Sequence, residues 1–173
     1  MPELIRDHAI VQDSYLPRVT SLTGVDPWED IIVSPDLLLA ERDSLTQRPG
    51  KLGVWLETSD DPEVIAKDLV HLDLVVVHFP VFTDGRGHST ARLLREHYHY
   101  QGEIRAMGDV FKETLHYLAR CGFNAFALRP GESPESALSG LDVFSEAYQT
   151  SVEHRFPLFR RRLVGATDTG KPS

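Results

Sequence analysis

One cysteine, Cys121, stands in a chain of 173 residues. A lone thiol closes no disulfide within the chain. It supplies neither a zinc ribbon nor an all-cysteine iron–sulfur cluster. Long apolar runs are missing as well. Leu74-Val75-Val76-Val77 is typical of the longest, far short of the ~20 residues that a membrane-spanning helix needs. The start, Met1-Pro2-Glu3-Leu4-Ile5-Arg6-Asp7, has no apolar stretch of signal-peptide length. The expectation is a cytoplasmic protein with no membrane partner. Basic charge is also scarce: Lys+Arg 18 against Asp+Glu 26 leaves a net charge of −8. Gripping nucleic acid wants a basic face, so no nucleic-acid partner is expected. Neither GxGxxG nor a Walker A loop occurs, and no HxxxH pair or Cys/His set suggests a metal. What is left is ordinary for one globular domain, with 41% hydrophobic and 25% charged residues.

The pattern along the chain predicts an α/β fold. Residues 1–30 read as an N-terminal extension with one short strand at Ala9-Ile10-Val11. Residues 31–164 read as a single α/β domain, and 165–173 as a polar, frayed tail. Strands are expected at Ile31–Val33, Leu52–Leu56, Leu74–Val77, Glu103–Met107 and Phe123–Leu128. A helix is expected from Leu37 to Leu45. Asp61-Pro62 looks like a cap followed by proline, with Ile65, Leu69 and Leu72 at helical spacing. Further helices are expected near Ser89 (face Ala91, Leu94, Tyr98) and after Asp109 (face Phe111, Leu115, Leu118, stopped by Gly122). Another should follow Ser133-Pro134, with face Ala137, Leu141, Phe144 and Tyr148. About five βα units in succession mean a mostly parallel sheet. They are too few for a standard eight-stranded barrel, so the sheet is open and doubly wound, or partial-barrel-like.

Parallel sheets bind ligands at the carboxyl ends of their strands. This nominates Glu57–Asp61, His78–Ser89, Gly108-Asp109 and Arg129–Ser133. The most informative stretch is Phe79-Pro80-Val81-Phe82-Thr83-Asp84-Gly85-Arg86-Gly87-His88-Ser89, longer than a typical connection. Gly85 and Gly87 let backbone approach a ligand, the following helix offers unpaired N–H groups, and Arg86 suits an oxyanion. A small anionic ligand is one reading. The other is that Asp84 and Arg86 hold the loop together while Ser89 caps the helix. Arg92, one turn on, Arg105 in the next strand and Asp109 after it can converge on the same place. An arginine within a parallel strand needs a partner, and Asp84 or Asp109 is the candidate.

Other residues carry less. His97 and His99 point to different faces of a helix and do not chelate one metal. His88 reads as solvent-facing and His78 as a hydrogen-bonded core residue. Cys121, at a helix C-terminus, reads as a small core residue rather than a nucleophile. Arg160-Arg161-Arg162 reads as a solvated end.

The stretch Phe79 to Gly87 with Ser89 and Ala91-Arg92-Leu93-Leu94-Arg95 resembles the core of a bacterial family of domains of unknown function. So do Gly102-Glu103-Ile104-Arg105-Ala106, Gly108-Asp109-Val110 and Arg120-Cys121-Gly122-Phe123. Members of that family are commonly labelled as oxidoreductases of sulfite reduction. The resemblance runs from about Ile31 to Leu128. It implies work beside a sulfite or nitrite reductase in sulfur assimilation, but no established catalytic residue. The chain departs from the family pattern at Glu113-Thr114, at His88, where an aromatic is usual, and at Asn124, where an aspartate is usual. Sulfite reduction normally runs through a cysteine-held cluster next to a haem-like group, and one cysteine cannot supply that cluster. No cofactor is read from the sequence. Three readings stay open: an accessory protein or oxidoreductase of sulfite reduction that takes an oxyanion or a reductase through Asp84–Ser89; a small-molecule enzyme acting on a carboxylate or phosphate; and a non-catalytic interaction module. Self-association is left open as well.

Overall fold

The computed structural model describes residues 3–143. Phe144, Tyr148, Arg160-Arg161-Arg162, the tail 165–173 and the domain boundary at 164 lie outside the described residues. The fold is mixed α/β, with one seven-stranded, mostly parallel sheet. Its strands are β1 (Glu3–Arg6), β2 (Ala9–Gln12), β3 (Ile31–Val33), β4 (Leu52–Glu57), β5 (Leu74–Phe79), β6 (Glu103–Gly108) and β7 (Ala125–Phe126). They lie in the order β2-β1-β7-β6-β5-β4-β3. Strands β3 to β7 are parallel neighbours in chain order. Among the described residues the parallel part therefore has no point where the strand order reverses. The hairpin of β1 and β2 joins its edge antiparallel to β7. Its two-residue turn, Asp7-His8, has φ of 48° and 61°, the left-handed geometry that matches strand twist.

Strand β5 explains its own place. Leu74, Val75, Val76, Val77 and Phe79 are fully buried, as a run apolar on both faces requires. Val54, Leu56, Val75, Val77, Phe79, Ile104 and Ala106 point into the main core. There they meet helices α1 (Pro35–Ala40), α2 (Arg42–Thr46), α3 (Arg86–Glu96), α4 (Leu115–Cys121) and α5 (Pro134–Val143). The other face packs Ile32, Leu74 and Val76 against Tyr15, Trp55 and Met107. Residues 13–30 run from β2 at one edge of the sheet to β3 at the other. Tyr15 covers the second face, and the Val19 N–H donates to the Ile32 carbonyl at 2.7 Å.

Several expected elements differ. The helix read after Asp61-Pro62 is two short 3-10 turns, Pro62–Ile65 and Leu69–His71. Ile65, Leu69 and Leu72 are buried all the same. Helical spacing reports which side chains face the core, and two short turns satisfy three such positions as well as one helix does. The helix read as Leu37–Leu45 breaks at Glu41 into α1 and α2. Helix α3 begins at Arg86, with Gly85 and not Ser89 at its cap, and ends before Tyr98. Asp109 caps no helix. A 3-10 turn, Lys112–Thr114, precedes α4, and the Thr114 hydroxyl donates to the Phe111 carbonyl at 2.6 Å. Gly122 ends α4 at φ 112° and Ser133 starts α5, both as expected; the Ser133 hydroxyl accepts from the Ser136 N–H at 3.2 Å.

Candidate functional site at the carboxyl edge

The carboxyl ends of β4, β5 and β6 carry polar residues on both faces of the sheet. On the helix side lies the loop from Pro80 to Gly85. Asp84 accepts from Arg86 twice, Oδ1 from Nε at 3.0 Å and Oδ2 from a terminal nitrogen at 2.8 Å. Asp84 Oδ2 also accepts from the Thr58 hydroxyl of the neighbouring strand end. These bonds, Arg86 first, hold the Asp84 carboxyl well below the usual range. The Arg86 charge is thus already met within the loop. Asp109 binds the loop from below, accepting from the Phe82 N–H at 3.1 Å and from Arg129 at 3.0 Å.

The glycines of this loop have different reasons. A Cβ at Gly87 would come within 2.6 Å of the Phe79 ring, so close packing excludes a side chain there. Gly85 faces open space. Ser89 is exposed on α3, and Arg92 reaches the buried Cys121 on α4. His88 is not solvent-facing: it is buried among Phe79, Phe82 and Tyr117. Its Nε2 has no hydrogen-bond partner. The structure therefore brings Asp84, Gly85, Arg86, Gly87, Ser89 and Asp109 to one edge, with Arg92 one turn away.

Arg105 does not join them. It lies on the sheet's second face and is 1% exposed. It donates to Glu103 at 2.7 Å and to Asp13 at 2.9 Å, with the Tyr15 ring 5.4 Å from its guanidinium carbon. The expected partners, Asp84 and Asp109, are replaced by carboxylates on the same face, because strand alternation turns Arg105 away from the loop. Its work is to fasten the segment after β2 onto the sheet.

The second face joins two residues that open separate nominated segments in the sequence. Glu57 and His78 are register partners at the ends of β4 and β5. Glu57 Oε2 lies 2.7 Å from His78 Nδ1, and Oε1 accepts from Trp55 Nε1 at 2.8 Å. Arg18 contributes a longer contact to Oε1 at 3.5 Å and lies over the Trp55 ring. Burial alone would raise the Glu57 carboxyl, but the bonds from His78 and Trp55 and the charges around it bring it below its usual value. Beside Glu57 and Trp55 opens a cavity of about 270 Å³, lined also by Arg18, Asp60, Asp61, Val64 and the start of α1 with Asp36. Among the described residues no group of three or more His, Cys, Asp and Glu is placed to hold a metal ion. No described helix is long and apolar enough to cross a membrane.

Comparison with family models gives one result. The model of the bacterial proteins of unknown function known as DUF934 matches residues 53–159. The chain belongs to this family. Trp55, Glu57, His78 and the whole Asp84–Ser89 loop lie inside the DUF934 match, whereas Asp13, Tyr15, Arg18 and Asp36 precede it. No curated protein matches the chain. The aspartate expected at position 124 has a structural replacement in this DUF934 member. Asn124 Oδ1 accepts from Arg95 at 3.0 Å and from the Ile104 N–H at 2.8 Å, while its amide nitrogen donates to Asp7 at 3.0 Å. A carboxylate cannot make the last of these bonds.

Proposed function

We propose that this DUF934 protein binds a small polar molecule in the pocket beside Trp55 and Glu57, and that it does so as a cytoplasmic accessory protein of sulfite reduction. The observation that carries the binding part is the pocket's position, a cavity of about 270 Å³ at the carboxyl ends of β3 and β4. Crevices at that edge are where parallel α/β sheets take their ligands. An aromatic wall, an oriented carboxylate and a guanidinium are groups that fix a small polar molecule in place. Asp36, Glu57, Asp60 and Asp61 outnumber Arg18 around the cavity. That balance favours a neutral or zwitterionic molecule over a multiply charged anion. The one-way strand order favours a barrel-like over a doubly wound arrangement. The sulfite part rests on the family resemblance, and with one cysteine in the chain an accessory role suits it better than that of the reductase. A sulfite or nitrite reductase is the partner this reading implies.

Thermal-shift measurements on a panel of neutral, zwitterionic and anionic metabolites, sulfite included, test the binding part. At least one neutral or zwitterionic member should stabilise the protein and fail to stabilise Trp55→Ala. A panel without effect, or one that acts equally on both proteins, contradicts the pocket. Gene deletion tests the sulfite part: growth on sulfate or sulfite should suffer while growth on cysteine is spared. Equal growth on all three removes it.

A further inference from the structure

We infer that the molecule taken up in this pocket carries an ammonium or guanidinium group, and that this cation seats between the Trp55 ring and the Glu57 carboxylate, in the place that the Arg18 side chain now holds. The inference rests on the pocket reading and names the class of its ligand. Trp55, Glu57 and Arg18 all line the cavity of about 270 Å³. An aromatic face beside an ionised carboxylate is a pairing that recognises organic cations: the ring attracts the charge through its quadrupole, and the carboxylate balances it.

The seat is rigid. Trp55 Nε1 donates to Glu57 Oε1 at 2.8 Å, which fixes ring and carboxylate to each other. Glu57 Oε2 lies 2.7 Å from His78 Nδ1, and the Glu57 N–H donates to Asp60 Oδ2 at 2.8 Å. Burial raises the Glu57 carboxyl, yet the bonds from His78 and Trp55 bring it below its usual value, so it is charged at neutral pH.

The occupant is loose. Arg18 reaches Glu57 Oε1 only at 3.5 Å, and its side chain is 42% exposed. Its guanidinium carbon is 5.8 Å from the Trp55 ring centre, close to the ~6 Å limit of a cation–π contact. The chain marks the seat with a cation of its own without filling it closely, and an exposed ion pair of this length is easily given up. The backbone beside it is held, with the Val19 N–H donating to the Ile32 carbonyl at 2.7 Å, so only the side chain has to move. Asp60 and Asp61 each give an oxygen to a backbone N–H, of Glu57 and Glu63 at 2.8 and 2.9 Å, and so add negative field rather than a second seat. Among the described residues Arg18 is the one cation lining the cavity. Once displaced, it suits an anionic far end of the same molecule, which singles out the zwitterion.

Trp28→Phe leaves Trp55 as the single tryptophan, and its fluorescence reads the seat in the whole chain. Two pairs of probes differ in charge and little in shape: butylguanidine against butylurea, and choline against the alcohol in which carbon replaces its nitrogen. At constant ionic strength at least one cation should give a saturable change, roughly tenfold or more tighter than its uncharged counterpart. These cations have no anionic end, so Arg18 acts on them only as a competitor, and Arg18→Ala should tighten their binding several-fold. Its exposure makes that variant tolerant of truncation. Glu57→Gln, which keeps the size and loses the charge, should weaken the cation roughly tenfold. Uncharged probes that bind as tightly as the cations, cation binding that is equal or weaker in Arg18→Ala, or no saturable change with either cation overturns the inference. The pocket reading fails separately: a neutral or anionic metabolite whose stabilisation is lost in Trp55→Ala keeps the pocket, while any of these outcomes removes the cation.

Discussion

Asp84 grips Arg86 with both carboxylate oxygens, at 3.0 and 2.8 Å, two residues away in the same loop. An incoming anion has to compete with that carboxylate for the guanidinium. Arg86→Ala should lower the melting temperature by a few degrees at most, since the arginine is two-thirds exposed, at 66%. Titration with sulfite or phosphate should give no saturable signal that depends on Arg86. Binding that disappears in Arg86→Ala while the melting temperature holds would restore the oxyanion reading of the loop.

Two glycines that look alike in the sequence should behave differently. Gly108 has φ of 99°, and a Cβ there would strike the Phe79 carbonyl. Gly108→Ala should cost roughly 2–3 kcal/mol of stability. Gly85 has φ of −65° and open space around it. Gly85→Ala should change stability by less than about 0.5 kcal/mol. Chemical denaturation of the two variants checks this, and equal losses would contradict it.

Arg105 holds the segment after β2 against the sheet through Asp13, Glu103 and Tyr15. Removing the arginine leaves two carboxylates facing each other in a half-buried place. Arg105→Ala should lower stability by about 3–5 kcal/mol. Limited proteolysis should then cut between residues 13 and 30, where the unaltered protein resists. A stable, uncut variant would show that residues 13–30 hold to the sheet without Arg105.

Stability should also depend on pH through His88. Burial lowers its affinity for a proton, and the neighbouring Arg92 lowers it further; the Gly85 carbonyl and Asp84 offset part of this. An unfolded chain takes up a proton at this ring below its ordinary value of 6.5, whereas the native ring does so only at lower pH. The contribution is therefore complete above 6.5 and shrinks as pH falls below it towards the lowered native value. His88→Phe suits the ring cage of Phe79, Phe82 and Tyr117, and the family resemblance places an aromatic there. Melting curves should show the acid-side slope reduced in His88→Phe. An unchanged slope would assign it to other groups.

The five parallel strands are legible as short apolar runs, Leu74 to Val77 most plainly as a strand apolar on both faces; β1 and the joining of its hairpin to β7 are not, because that pairing depends on contacts far apart in sequence. Helix starts were less legible. Ser89 has the chemistry of a cap, yet Gly85 takes that place because Asp84 and Arg86 close the turn before it. The Asp84–Ser89 loop was found by its glycines, but whether Arg86 is spent internally depends on side-chain geometry. Arg105 was recognised as needing a partner; the partner Asp13 lies 92 residues away in sequence and no spacing rule reaches it. Glu57 and His78 each open a nominated segment, but His78 by itself reads as a hydrogen-bonded core residue. The signal for the pair was period-two alternation, with Trp55 and Glu57 on one face of β4 and Val76 and His78 on one face of β5. Register between strands joins them, and register is written in the packing of the whole sheet.

On the reading proposed above, this DUF934 protein takes its ligand in the cavity beside Trp55 and Glu57. Soaking crystals of the protein with a library of small polar fragments tests it most directly. Electron density is expected between the Trp55 ring, the Glu57 carboxylate and the start of α1. Fragments that gather at Asp84–Ser89, or in a second groove lined by Leu69, Val70, Tyr98 and Tyr100, and leave this cavity empty would contradict it.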